Sequence, residues 1–220
     1  MLFPDPGRFG GLPEAGFDLF VLPDREERRA AILRTIHPAL EDLGEDLVRR
    51  LDPAAAKPLH AHLPRLDWPK GYQPFCTWLA LSFRSQGYQA GPQLNVGVHR
   101  DHVAVRLGWD TGAAGFGRFE FLCRLGHLDE LLRAVVAKLD LRIRVFAAAP
   151  WPDGSTCVFE SDSDLAGSFE EVRRRGVWWE VGRRYEWPGD RDCITSPALG
   201  EEAARVLAGL LPVYERGEAS

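Results

Sequence analysis

Lysine and methionine are scarce in this chain of 220 residues: 3 Lys stand against 24 Arg, and 1 Met against 7 Trp. No run of about 18 apolar residues is present, which excludes a membrane-spanning helix of ordinary length. The four cysteines, Cys76, Cys123, Cys157 and Cys193, never approach C-x-x-C spacing, so zinc ribbons and thioredoxin-type redox motifs are excluded. Met1–Pro6 carries neither a basic nor an apolar stretch, so no signal peptide is expected. There is no G-x-x-x-x-G-K-[ST] loop, no G-x-G-x-x-G after a strand, no G-x-S-x-G elbow and no H-E-x-x-H helix. A formal net charge of −5 gives no basic field for phosphate backbones, which argues against nucleic acid as a partner. These absences point to a cytoplasmic protein with reduced thiols and neither membrane nor nucleic-acid partner. They name no cofactor and no oligomeric state.

What is present is a pattern of elements. Apolar residues are 45% and charged residues 27% of the chain, and a chain of this length buries enough surface to fold without metal or disulfide staples. Residues 1–15 read as an irregular lead-in, 16–215 as a single α+β domain with a mainly antiparallel sheet, and 216–220 as a tail. Phe17–Leu22 reads as a short strand. Asp24 to Glu27 has the form of a capping box ahead of a helical stripe of Ile32, Ile36, Leu40, Leu43, Leu47 and Leu51, which Pro38 kinks or divides. Residues 53–74 are a proline-rich connection. Period-two alternation then predicts a four-strand meander over Phe75–Arg84, Gln93–His99, His102–Trp109 and Arg118–Leu125. A helix over Leu128–Leu139, strands over Leu141–Ala149 and Thr156–Ser161, a helix over Asp162–Arg175, a strand over Val177–Trp187 and a helix opened by Ser196-Pro197 complete a sheet packed with about four helices.

The hairpin at Arg100-Asp101 pairs Val98 with Val103, Val96 with Val105 and Leu94 with Leu107, gathering one apolar face. The other face carries Gln93, Asn95, Gly97 and His99 against His102, Ala104 and Arg106. The small residues let a ligand or a helix approach the backbone. Arg106 with two amides can fix a carboxylate or phosphate while Trp78 offers a stacking surface, so Trp78, Gln93, Asn95 and Arg106 form the candidate ligand site. The bland alternative is the polar side that any amphipathic sheet needs. His99 and His102 face each other at the turn and could hold a metal beside Asp101, or act as a base pair; otherwise they are a polar hairpin tip.

His60 and His62 could likewise share a metal, with His37 or His127 as a third ligand. Arg118, Arg124, Arg142 and Arg144, with Glu120 and Glu160, form either a phosphate surface or solvated cross-strand ion pairs. Arg173–Arg175 with Trp178 and Trp179, followed by Arg183, Arg184, Tyr185 and Trp187, resembles a single-strand nucleic-acid surface, but the same stretch suits a helix end and a core strand. Glu160 to Asp164 lacks the glycine and the final glutamate of a calcium loop and suits helix capping better.

Several segments taken in order resemble a known family. They are Gly16–Phe20; Ile36-His37-Pro38-Ala39-Leu40-Glu41-Asp42-Leu43-Gly44; Trp78 in its apolar strand; Pro92–Val98; His102–Trp109; and Leu210–Tyr214. Together they are similar to the YktB-like family of uncharacterised bacterial proteins, over nearly the whole chain. The resemblance implies an α+β fold and carries no catalytic residue. The residues themselves favour a small anionic-ligand-binding protein with one pocket over Trp78, Asn95 and Arg106, lidded by residues 53–74. The alternatives are a metal-dependent enzyme using a His pair, or an interaction module that exposes Trp151 or Trp178 to a partner.

Overall fold

The computed structural model describes residues 8–66, 75–113, 115–126, 128–148 and 155–218. After a 3-10 segment (Glu14–Val21) come helices α1 (Arg25–Thr35) and α2 (His37–Leu51), then strands β1 (His60–His62), β2 (Cys76–Ser82), β3 (Gln93–His99) and β4 (His102–Asp110). Helices α3 (Phe116–Arg124) and α4 (Asp129–Leu139) lead to β5 (Arg142–Ala148), β6 (Ser155–Ser161), α5 (Leu165–Arg175), β7 (Gly176–Glu186), α6 (Arg191–Ile194) and α7 (Ala198–Glu218). The seven strands form one sheet in the order β1-β2-β3-β4-β7-β5-β6, and every pair is antiparallel.

The first helices form as their sequence dictates. Asp24 accepts a hydrogen bond from the Glu27 amide at 2.7 Å, and Pro38 falls in the first turn of α2, where its missing N–H costs nothing. The stripe from Ile32 to Leu51 is buried throughout. It divides into two abutting helices rather than one kinked rod, because α1 ends at Thr35 and α2 begins at His37. Asp164 caps α5 through the Gly167 amide at 2.8 Å, so the acidic stretch before it is a cap and not a calcium loop. Asp164→Ala is expected to lower stability by about 1 kcal/mol in urea denaturation, the usual worth of a side-chain cap.

The helices collect on one face of the sheet. Gly44 of α2 lies under Leu79, Gly217 of α7 under Trp109, and Gly176 at the α5–β7 junction against Val145. Phe169 of α5 stacks on Trp179, with the Trp179 indole donating to the Ser168 hydroxyl. Phe116, Phe119 and Phe169 surround Trp109 and Trp179 as one aromatic cluster. The face defined by Leu79, Val96, Val105, Trp109, Trp179, Val181 and Val145 is therefore the main core.

Several sequence expectations are corrected. Residues 118–124 are helix, so the expected strand over 118–125 is not the fourth strand of the meander. Phe116, Phe119 and Cys123 are buried at spacings of three and four while Phe121 is exposed, so the helical period outweighs the Arg/Phe alternation. The fourth consecutive strand is instead β1, inside the proline-rich connection. Phe17–Leu22 is not a strand: Phe17 and Phe20 are buried three residues apart in a 3-10 segment. The described residues hold seven α-helices rather than about four. The last helix runs on through Glu218 where a tail was expected, because Gly217 admits the Trp109 ring and Glu218 accepts from Arg84 at 2.8 Å. Residues 67–74, His127 and the expected turn at 150–154, with Trp151, lie outside the described residues.

Candidate functional site

The opposite face of the sheet carries the polar candidates, and its register orders them. The hairpin has the expected pairing, Val98 with Val103, Val96 with Val105 and Leu94 with Leu107. One line of residues crosses four strands: Trp78 opposite Gly97, Gly97 opposite Ala104, and Ala104 opposite Arg184. Two residues with little or no side chain thus lie between an indole and a guanidinium, across three strand spacings of about 14 Å. The flanking line on one side is Cys76, His99, His102 and Glu186; on the other it is Ala80, Asn95, Arg106 and Gly182. The result is a trough floored by Gly97 and Ala104, walled by His99 and His102 on one side and by Asn95 and Arg106 on the other.

The face is enclosed although no described helix packs on it. By register Phe146 lies opposite Trp178, six residues from Arg184 and about 20 Å along an extended strand. Yet the Arg184 guanidinium carbon is 5.6 Å from the Phe146 ring centroid. The β5–β6 hairpin therefore rolls over this face, aided by irregular register after Val145 and Phe146. Rolling explains why Asn95, Arg144 and Glu180 are buried on the face without helices.

Electrostatics distinguish the arginines. Glu180, fully buried, pairs with Arg106 and receives the Trp178 indole N–H at 3.0 Å. Burial alone would push its carboxyl up, but the charges of Arg106, Arg184 and Arg144 hold it below the usual carboxylate range. Arg106 also donates to Asn95 Oδ1 at 3.3 Å and lies over the Trp178 ring. Arg144 donates to Glu160, its cross-strand neighbour, at 2.8 Å. Arg184 is half-buried and has no carboxylate partner among the described residues, and its Nε has no hydrogen-bond partner. Glu180 Oε1 and the Nε2 atoms of His99 and His102 are likewise buried without a hydrogen-bond partner, although Glu180 Oε1 lies 3.9 Å from Arg144 Nη1. Four such atoms gather on this one face, and each calls for a partner.

His99 and His102 stack with centroids 4.2 Å apart and planes 9° from parallel. His102 Nδ1 lies 2.7 Å from Asp101 Oδ1, an arrangement that leaves Nε2 as the acceptor in the neutral ring. Burial holds His102 below the usual histidine value, reinforced by Arg184 and opposed by Asp101. Burial holds His99 well below it, with His102, Arg106 and Arg184 adding to the effect. Both rings are neutral near pH 7. An unfolded chain takes up these protons near pH 6.5 and the folded chain does not, so stability is full above that value and falls as pH drops below it. The melting temperature is expected to decline between pH 7.5 and pH 5.5 by calorimetry, with a shallower decline in His99→Gln.

The sequence-derived candidates divide. Asn95 and Arg106 touch, and Trp78 lies across Gly97 from them. Gln93 sits one line further, opposite Gly108, whose space the Trp178 ring occupies, so it is outside the trough. The expectation that Gly97 leaves open space is corrected: a Cβ there would meet Arg106 Nη2 at 3.0 Å and His99 Nε2 at 3.2 Å, so these two groups reach over the floor. The parallel rings of His99 and His102 send their lone pairs along parallel lines, not to one shared point. His60 and His62 share this face at the β1 edge, but His37 lies on the helix face, hydrogen-bonded to Thr77 at 2.9 Å, so it cannot join them. His62 is held by the Arg84 carbonyl at 2.8 Å and stacks on Tyr88. Among the described residues no three His, Cys, Asp or Glu side chains group as metal ligands.

Other basic stretches are occupied. Arg173 pairs with Glu120 and Glu170, and Arg174 and Arg175 with Glu171. Arg118 and Arg124 belong to α3, where Arg124 pairs with Glu120 at 2.7 Å, and so lie apart from Arg142 and Arg144. Arg184 reads in the sequence only as one of a basic and aromatic stretch, and its place on the sheet face is what sequence reasoning missed. Its signal was the β7 alternation of Glu180, Gly182 and Arg184, which becomes informative only once β7 is paired with β4.

Two clefts lie near β1. One of about 690 Å³ runs between α2 and β1 and is lined by Glu41, Glu45, Arg49 and His60 among others. The other, of about 980 Å³, is lined by Ala61–Leu66, Trp78 and Gln86–Gln89. Trp78 thus joins the trough to the second cleft, whose wall includes part of the 53–74 connection. Neither cleft reaches Arg106 or Arg184.

This architecture defines an α+β protein with one rolled antiparallel sheet, helices against one face and a charged, aromatic trough on the other. Residues 13–112 match the family described as "Domain of unknown function (DUF1054)". A UPF0637 protein of Shouchella clausii (strain KSM-K16) is 25% identical over 209 residues, 93% of each chain. A UPF0637 protein of Bacillus cereus (strain B4264) is 33% identical over 92 residues, 42% of this chain and 44% of that one. One of Oceanobacillus iheyensis is 31% identical over 97 residues, 44% of this chain and 47% of that one. The chain is thus similar to the DUF1054/UPF0637 family of uncharacterised bacterial proteins, with which the YktB-like resemblance is consistent. No described helix is long and apolar enough to cross a membrane.

Proposed function

We propose that the protein binds a small organic anion in the trough between Trp78 and Arg184. The observation that carries this reading is Arg184: a half-buried guanidinium that makes no ion pair among the described residues and whose Nε lacks a hydrogen-bond partner. Arg106 and Arg144 are paired directly with Glu180 and Glu160, whereas Arg184 meets the charges of Glu180 and Asp101 only at longer range. Such a cation held in a fixed, partly desolvated place binds an oxyanion more strongly than one in water. Trp78 at the other end lines the second cleft, where an apolar or planar part of the ligand would lie. The anionic group then rests at Arg184 and Arg106 Nη2, with the organic part turned toward the Trp78 cleft.

Titration calorimetry with phenyl phosphate and with inorganic phosphate tests this. Phenyl phosphate is expected to bind about tenfold more tightly, the upper range for one aromatic contact. Trp78→Ala should remove that difference and Arg184→Gln should abolish binding of both, with the circular dichroism spectrum unchanged. Binding unaffected by Arg184→Gln would contradict the proposal.

A further inference from the structure

Resting on the trough reading above, we propose that the trough takes a dianionic oxyanion together with one proton, which the stacked His99–His102 pair receives. Both Nε2 atoms are buried and without partners on the wall beside Gly97 and Ala104. A proton placed on either one without an anion beside it would create a buried N–H with nothing to accept it, beside two guanidinium groups. An oxyanion at Arg184 supplies both the missing acceptor and the compensating charge. Asp101 holds His102 by Nδ1, so a proton added at Nε2 leaves an imidazolium bridged between Asp101 and the anion. The chemistry is a single protonation: solvent gives one proton to an imidazole Nε2, and no other bond forms or breaks. Charge sets the ligand class. Arg184 and one imidazolium place two cationic donors at the anion, with Asp101 held on the far side of the His102 ring, which suits a dianion better than a monocarboxylate.

The groups facing the pair come from every neighbouring strand. Cys76 of β2 lies opposite His99, and burial pushes its thiol up to about 12, so it stays neutral. Asp101 sits in the turn, and Arg106 on β4 reaches over Gly97. Arg184 lies on β7, as does Glu186, which is opposite His102 and exposed. Asp101 alone of these touches a ring atom, and it is satisfied by Nδ1. The proton taken up on binding is therefore assigned to an imidazole.

Inorganic sulfate is the probe, because it stays dianionic from pH 6 to pH 8 and any proton uptake belongs to the protein. Calorimetric titration of the full chain at pH 7 in two buffers of different ionisation enthalpy should show uptake of close to one proton per sulfate. The Kd should tighten toward tenfold per pH unit as pH falls from 8 to 6. His99→Gln and His102→Gln should each flatten this dependence, and the two-buffer measurement on the unaltered protein stands even where a variant fails to fold. Sulfate binding with one Kd at pH 6 and pH 8 and no proton uptake overturns the proton coupling and leaves the trough reading intact. Failure of sulfate to bind at either pH, or binding indifferent to Arg184→Gln, overturns the trough reading itself.

Discussion

Glu180→Ala is expected to destabilise the protein by about 3–5 kcal/mol, the usual cost of removing one partner from a buried ion pair. Glu180 is fully buried and is the only carboxylate among the described residues that pairs with Arg106. Its removal leaves Arg106, Arg144 and Arg184 on one rolled face with only Glu160 and Asp101 against them. The mechanism is an uncompensated charge rather than a cavity. Glu180→Gln should therefore recover little, because the amide keeps the shape and loses the charge. In a chain of this size the shift corresponds to roughly 10 °C in melting temperature. The same carboxyl lies below its usual value in the folded state, so its contribution is fully present above about pH 4.5 and is lost as pH falls through the folded value. Chemical denaturation at pH 7 and pH 4 measures both effects.

Trp179→Ala should cost a similar amount, about 3–5 kcal/mol, for a different reason. Trp179 is fully buried on the helix face among Phe116, Phe119 and Phe169, and its indole donates to Ser168. Deleting the ring leaves a cavity that two helices and the sheet cannot close, and it removes the donor to the Ser168 hydroxyl, which keeps only its bond to the Leu165 carbonyl. Its neighbour Trp178 points to the other face, half-buried over Gly108 and beside Arg106. Trp178→Ala is expected to cost clearly less. Equal costs in denaturant unfolding would mean that the two faces are not energetically distinct.

The sequence revealed those features whose partners are local. The Arg100-Asp101 turn with alternating valines specifies the β3–β4 register, since a slip by one residue would turn every valine to the polar side. The stripe from Ile32 to Leu51 specifies two helices. Asp24 specifies their cap. What escaped depends on distant pairing. β7 inserts between β4 and β5, and only that placement puts Arg184 opposite Ala104 and Glu180 against Arg106. Without it Arg106 reads as a free ligand cation, when it is the paired one. The segment 118–125 reads as a strand because Phe119 and Phe121 alternate with Arg118 and Glu120. Only the burial of Phe119 and Cys123, with Phe121 exposed, shows the helical period. Trp78 and Asn95 were placed on the correct face from alternation alone, and His99 stacks on His102 as their facing positions imply.

The trough between Trp78 and Arg184 is tested most directly by where an anion settles. Crystals grown with selenate, a dianion with an anomalous signal, should give a difference peak over Ala104, within hydrogen-bonding distance of Arg184 and of His99 or His102. Selenate found only at exposed arginines such as Arg174 and Arg175, with the face over Gly97 and Ala104 empty, would contradict the account.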